Sequence, residues 1–336
     1  MREAAFTLAG IPVRNRVLAA PMCGATKPTY RQQATRFGAD LVYTEMVKAS
    51  RLVRRDPRTI RFVDRAPGET NCAPQISGSD PEVMAEATRF LVEELGFPFV
   101  DINMGCPVRK IVASGAGAAL LRDPRQVEAV LAACARATEA PVTVKIRSGW
   151  DHKGHADVTE LVRAAESGGA QLISIHARAR SQGHEGEVDT DALARAKEAV
   201  SIPIVANGGI MSGEDALELL ERSACDAVMI GRGAYGRPWI FREVSRAIAG
   251  QDPHPEPSEA ERCDLIAEHF EGMVEFMGPP GVRVFRKYAG WYFQGSEAAD
   301  DFRRRAYRIS VPEEMRALVA EWRAFRLSAR ERELAL

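Results

Sequence analysis

The first two-thirds of the chain alternate short apolar, β-branched runs with longer stretches in which apolar residues recur every three or four positions. The short runs predict strands and the 3.6-residue recurrence predicts helices. Strands are expected at residues 16–21 (RVLAAP), 40–45 (DLVYTE), 72–77 (CAPQIS), 99–103 (FVDIN), 141–147 (PVTVKIR), 172–176 (LISIH), 202–207 (IPIVAN) and 226–230 (DAVMI). Helices are expected between them at 28–37, 81–95, 125–138, 157–167 and 213–221. In the 81–95 segment Val83, Ala87, Phe90 and Leu91 fall on one face, Pro81 fits a first helical turn and Gly96 ends it.

Strands alternating with helices over roughly 230 residues predict an α/β fold with a parallel sheet, and a count of eight points to a closed (β/α)8 TIM barrel. An open doubly wound sheet would want G-x-G-x-x-G after the first strand, where the chain reads Pro21-Met22-Cys23-Gly24. Residues 250–258, GQDPHPEPS, read as a linker, and the remainder shows helical patterning without a convincing strand. The expected organisation is a barrel over 1–249, a linker over 250–258 and a small all-helical domain over 259–336.

Composition narrows the class. A hydrophobic content of 46% suits a large core, and a net charge of −1 lends no global support to nucleic-acid binding, so any such role needs local basic patches. The six cysteines form no C-x-x-C pair; reduced thiols and no metal centre are expected. The N-terminal residues lack a signal-peptide core, and no apolar run approaches the ~20 residues a membrane span needs. A cytoplasmic protein is expected, a monomer without an obligate protein partner.

In such a barrel the chemistry collects at the C-terminal ends of the strands. The chain delivers there Pro21, Met22 and Cys23; Gln75; Asn103 and then Cys106; Lys145 and Arg147; His176 followed by Arg178 and Arg180; Asn207-Gly208-Gly209; and Gly231-Arg232. Glycine turns after the last two strands suit a phosphate, because backbone N–H groups can approach it closely and Arg232 adds charge. If Val144 and Ile146 face the helices, Lys145 points into the barrel, where it needs an electron-rich ligand or a carboxylate. Cys106 sits between Gly105 and Pro107 where the backbone leaves its strand. It is either a small turn thiol or a general acid or nucleophile on a mobile loop, since residues 112–118 are small enough to fold over a substrate.

Together these motifs resemble the flavin-dependent tRNA-dihydrouridine synthases, and within them the bacterial B-type branch. The resemblance rests on APMCGATKPTYRQ (20–32), QISGSDP (75–81), DINMGCPVRKI (101–111), VKIRSGWD (144–151), SIHARARSQGHEGEVD (174–189), ANGGIMS (206–212), MIGRGAYGRPWIF (229–241) and RKYAGWY (286–292). It implies an FMN-binding barrel, a helical RNA-binding domain, and NADPH- or NADH-driven reduction of the C5–C6 bond of uridine in tRNA. It places Pro21, Met22 and Cys23 along the flavin, Gln75 and Lys145 at its ring, Asn103 and His176 near flavin and uracil, and Asn207, Gly208, Gly209, Gly231 and Arg232 on the ribityl phosphate. It makes Cys106 the proton donor. The chain departs from the family pattern at Gly209, where an acidic residue is usual, and at His184 and Tyr288, where tyrosine and histidine are common. The RNA contacts are expected from Arg178, Arg180, Arg286 and Lys287, with a second basic cluster at Arg51, Arg54, Arg55, Arg58 and Arg61. A competing reading on the same flavin site is an oxidoreductase of a free pyrimidine or other small substrate.

Overall fold

The structure, a computed structural model, describes residues 3–151, 157–252, 256–295 and 298–334. It opens with an antiparallel hairpin, β1 (Phe6–Leu8) and β2 (Ile11–Val13), which the hydropathy pattern does not announce. Eight parallel strands follow: β3 (Val17–Ala19), β4 (Val42–Lys48), β5 (Cys72–Ser77), β6 (Val100–Met104), β7 (Val142–Arg147), β8 (Ile173–His176), β9 (Ile204–Asn207) and β10 (Ala227–Ile230). Each pairs with its neighbours in chain order from β4 to β10, and β10 pairs with β3. The ring closes between β3 and the start of β4: Ala19 donates to the carbonyl of Leu41 at 3.0 Å and Asp40 to that of Val17 at 2.8 Å. The expected barrel is present, with the strand after residue 40 running on to Lys48 past a register shift between Tyr43 and Met46.

Alternation along the strands divides the core into two shells. Val100, Ile102, Val144, Ile146, Ile173, Ile175 and Val228 face outward into the cluster shared with the helices. Leu18, Leu41, Tyr43, Ala73, Phe99, Leu172, Val205 and Ala227 face inward near the strand starts, and hairpin residues Leu8 and Val13 join them. The N-terminal end of the barrel is therefore filled with apolar side chains, and polar inward residues are left to the other end.

The barrel helices are α1 (Pro28–Arg36), α2 (Ala49–Val53), α3 (Pro57–Ile60), α4 (Pro81–Arg89), α5 (Arg109–Val112), α6 (Pro124–Arg136), α7 (Val158–Ser167), α8 (Thr190–Ala199), α9 (Gly213–Ser223) and α10 (Ile240–Ile248). Asp80 and Asp123 cap α4 and α6 ahead of prolines in the first turn, and Asp157 with Glu160 forms a capping box on α7. The expected helix over 81–95 holds its α form only to Arg89 and then widens into a π-helical turn, Phe90–Glu94. The small-residue stretch after Cys106 is not an extended flap. It runs through α5 into a 3-10 turn, Gly117–Arg122, and Ala118 donates to the Cys106 carbonyl at 3.1 Å. Residues 116–118 are buried and closely packed, and a Cβ on Gly117 would lie 2.8 Å from that same carbonyl oxygen, whereas residues 113–115 are exposed.

Beyond the barrel come α11 (Glu259–Met277), α12 (Pro280–Tyr292), α13 (Ala299–Ala306) and α14 (Pro312–Leu334). The expected linker includes 253–255, which lie outside the described residues. Helix α12 docks on the barrel through buried polar contacts. The Tyr288 hydroxyl donates to the Ala25 carbonyl at 2.6 Å, and the Tyr292 hydroxyl donates to Gln33 at 3.0 Å while accepting from Nδ1 of His269 at 2.8 Å.

Candidate active site

The polar inward residues converge at the C-terminal mouth. Gln75, Asn103, Lys145, His176 and Asn207, from five successive strands β5–β9, line one cavity of about 630 Å³. The segment after β3 adds Pro21, Met22 and Cys23, and the loops after β9 and β10 add Gly208, Gly209, Gly231 and Arg232. Cys106 and Arg178 complete the rim. Lys145 does point inward, as the alternation with Val144 and Ile146 predicts, and its ammonium donates to Oδ1 of Asn207 at 3.0 Å. Asn207 in turn donates to the carbonyl of Met229 at 2.7 Å.

The turn that holds Cys106 is built from side chains below and beside it. Oδ1 of Asn103 accepts the backbone N–H of Cys106 at 3.0 Å, an Asx-type turn that bends the chain out of β6. Gly105 fits this close approach, since a Cβ there would lie a tight 3.3 Å from the carbonyl of Ile146. The thiol is therefore neither inside the strand nor buried; it is partly exposed on the cavity rim.

Charge in the cavity is one-sided. Burial pushes the Lys145 ammonium down to about 8, with Arg147 adding to the effect and Asp101 opposing it. Burial and the positive charges of Lys145, Arg147 and Arg178 push His176 down to about 2, so its imidazole is neutral at any physiological pH. Nη1 of Arg178 lies 3.3 Å from Nε2 of His176. A guanidinium only donates, so Nε2 accepts and the imidazole proton sits on Nδ1. On the same side the backbone opens at Gly208 and Gly209, with φ of +132° and +75°. A Cβ on Gly208 would meet His176 at 3.2 Å and the Arg178 guanidinium at 3.5 Å. Exposed Arg232, buried Arg178 and this side-chain-free backbone make a cradle for an anion.

The family model for dihydrouridine synthase (Dus) matches residues 17–328. A tRNA-dihydrouridine synthase B of Pseudomonas aeruginosa is 39% identical over 314 residues, covering 93% of this chain and 94% of that protein. The chain belongs to the dihydrouridine synthase family. A tRNA-dihydrouridine synthase B of Pasteurella multocida is likewise 39% identical, over 90% of this chain and 91% of its own. A probable tRNA-dihydrouridine synthase of Rickettsia conorii is 34% identical over 94% of this chain and 95% of its own.

Three of the expected site residues lie outside the cavity lining. Arg180 stacks its guanidinium over Trp150 at 4.4 Å. Arg286 donates to the Ile309 carbonyl at 2.6 Å, inside the helical region. Lys287 comes nearest, donating to the Cys23 carbonyl at 3.3 Å beside the mouth. Tyr288, one of the departures from the family pattern, is buried in the α12 contact with the barrel.

Residues given no role from the sequence also shape the cavity. Arg147 donates to Gly105, Ala179 and Gly183 carbonyls from one guanidinium. Its signal was present, an arginine two positions after Lys145 on the same strand face. His184 stacks on His176 at 5.7 Å between ring centroids. Tyr235 lines the cavity and stacks on Trp291 of α12 at 3.8 Å, a contact across more than fifty residues that no local pattern announces.

Proposed function

We propose that this chain reduces the C5–C6 double bond of uridine in tRNA, with FMN as its bound cofactor and NADPH or NADH as reductant. The observation that carries the reading is the placement of Cys106 on the rim of a cationic cavity whose glycine cradle suits a phosphate, in a chain of the dihydrouridine synthase family. The residues present fit FMN: a cavity of about 630 Å³ lies in the size range of cofactor sites, with an anion cradle beside Arg178 and Arg232 and a desolvated lysine on its wall.

Gly208, Gly209, Gly231, Arg232 and Asn207 would hold the phosphate and ribityl chain, and Pro21, Met22 and Cys23 would cover the ring. Gln75, Lys145 and His176 would face its polar edge. Bound FMN, once reduced, supplies hydride to C6 of the uracil. Lys145 supplies positive charge where negative charge develops on the cofactor, and it does so in a site that is largely out of water. His176 presents Nδ1–H as a neutral donor. Asn103 orients the base, and Cys106 delivers a proton to C5 from its thiol. That proton neutralises the charge that hydride addition would leave on the pyrimidine.

The chain divides, on this reading, into a catalytic barrel over 1–249, a linker over 250–258 and a helical tRNA-holding domain over 259–336. Many arginines of the helical region are already neutralised: Arg303 by Asp300, Arg304 by Asp301, Arg305 by Glu321 and Arg316 by Glu271. Lys287 at the mouth and Arg180 are the better phosphate contacts from that side, since Arg178 is buried in the anion cradle. On the barrel side Arg54, Arg58 and Arg61 are exposed and form no ion pair among the described residues, whereas Arg51 and Arg55 pair with Asp56 and Glu94. They follow the C-terminal end of β4 and so lie toward the mouth, where a strand of RNA could cross them. A folded tRNA does not expose a uridine to a barrel interior, so the base must leave its stack and enter the cavity.

The test is expression in a strain that lacks its own dihydrouridine synthases, followed by mapping of dihydrouridine in total RNA. Dihydrouridine restored at a tRNA position is the expected result. Unmodified tRNA, from cells containing folded flavin-loaded protein, would overturn the reading.

A further inference from the structure

Beneath the cavity lies a buried carboxylate that the proposed reaction does not use. Asp101 points inward from β6 and is 1% exposed. Its Oδ1 accepts the Thr143 hydroxyl at 2.6 Å, and its Oδ2 accepts Nε2 of Gln75 at 2.7 Å. Oε1 of Gln75 accepts Nδ2 of Asn103 at 2.9 Å, and Oδ1 of Asn103 accepts the backbone N–H of Cys106 at 3.0 Å. The series runs without a gap from the barrel interior to the turn on the rim.

Its direction is set at the bottom. A carboxylate accepts and cannot donate, so Gln75 must turn its NH₂ toward Asp101 and its carbonyl oxygen toward Asn103. Asn103 must then turn its NH₂ to Gln75 and its oxygen up to Cys106. The two orientations of a side-chain amide have nearly the same shape, so packing alone does not choose between them. We propose that Asp101 is a positioning residue: acting through Gln75 and Asn103, it fixes which polar groups these two amides present to the cavity and anchors the backbone of Cys106. This rests on the reading of Cys106 as the acid. Burying the carboxylate is costly and pushes Asp101 up to about 6, with Thr143, Gln75 and Lys145 opposing that rise. The titratable groups facing it are Lys145 on β7 and the Tyr43 phenol on β4. As pH falls through about 6 the carboxyl gains a proton, can donate from one oxygen, and no longer dictates the orientation of Gln75.

The test uses near-isosteric variants of the full-length holoenzyme. In Asp101→Asn the new amide can keep its oxygen on Gln75 by giving its NH₂ to Thr143, whose hydroxyl can also accept. Asp101→Asn should therefore keep kcat within a few-fold and lose the acid limb of the pH profile. Thr143→Val with Asp101 intact should also be mild, because the carboxylate still accepts from Gln75. In Asp101→Asn/Thr143→Val the NH₂ loses its acceptor, the series can reverse, and kcat on tRNA should fall roughly 10- to 100-fold with less effect on KM, as small displacements of a catalytic group do. The same proteins, labelled with ¹⁵N, report the side-chain NH₂ resonances of Gln75 and Asn103 directly: conserved in Asp101→Asn, displaced in the double variant. Effects of the two substitutions that merely add, or unmoved Gln75 and Asn103 resonances in the double variant, would overturn the proposal. The spectrum needs no turnover, so a wild-type protein inactive on tRNA would sink the proposed reaction and leave the amide orientation to be judged by the resonances.

Discussion

Arg147 donates its Nε–H to the carbonyl of Gly105 at 2.9 Å and so holds the residue immediately before Cys106. The same guanidinium reaches the carbonyls of Gly183 at 2.6 Å and Ala179 at 3.2 Å, tying the turn after β6 to the loop after β8. Burial pushes it down to about 10, which leaves it a cation at neutral pH. Replacing it with methionine strands several carbonyls in a buried site. Arg147→Met should destabilise the fold by about 1–3 kcal/mol in urea unfolding, the range for unsatisfied buried groups, and should slow turnover as well. Arg147→Lys keeps the charge but not the planar fork, and should fall between.

The anion cradle depends on a backbone that only glycine adopts freely. Gly208 has a φ of +132°, and an added Cβ would crowd His176 at 3.2 Å. Gly208→Ala should put strain of roughly 1–2 kcal/mol on the folded backbone, lowering thermal stability and, as the cradle shifts to relieve it, lowering FMN affinity on the order of tenfold. Flavin retained after gel filtration measures it; full retention at micromolar protein would count against the cradle.

Lys145 gives the affinity a pH dependence of known sign. Its folded-state value is depressed from 10.5 to about 8, so the amine is charged below that pH and neutral above it. A group of this kind disfavours the folded state while it is charged, and that penalty is relieved as pH rises from about 8 toward 10.5. Anionic ligands respond in the opposite sense. FMN titrations should weaken as pH rises through about 8, with the midpoint moved upward by the bound anion, and Lys145→Met should flatten that limb. Parallel profiles for the two proteins would assign the limb to another group.

RNA contacts should separate by whether a cation is already paired. Lys287→Glu, and Glu at Arg54, Arg58 and Arg61 together, should weaken tRNA binding and flatten the dependence of log affinity on log salt. The slope should fall by about one for each phosphate the protein no longer neutralises. Arg304→Glu, which removes a residue already paired with Asp301, should leave the slope unchanged. Equal losses at all these positions would point to net charge alone.

The barrel was legible because its strands are short apolar runs flanked by glycine and proline, and the inward face of β7 could be read from Val144, Lys145 and Ile146. Residues such as Gln75, Asn103 and His176 became a site only through their shared address at strand ends. What escaped had a common cause. The β1–β2 hairpin is only three residues per strand, too short for a period to show. The loop after Cys106 has a composition that suits mobility and close packing equally well, and only the 2.8 Å approach at Gly117 shows where glycine is required by packing. Arg286 and Lys287 are adjacent in sequence but point to different partners, the Ile309 and Cys23 carbonyls, so one basic pair became one internal tie and one rim cation.

The central claim is that the thiol of Cys106 completes the reduction. The direct measurement is a single turnover: enzyme reduced without oxygen is mixed with tRNA, and dihydrouridine formed is followed against time for wild type and Cys106→Ala. Flavin content, reduction by NADPH and tRNA affinity should be equal, with product formation slower in the variant by on the order of 10²-fold or more, as loss of a general acid commonly costs. Wild-type rates of dihydrouridine formation in Cys106→Ala would contradict it.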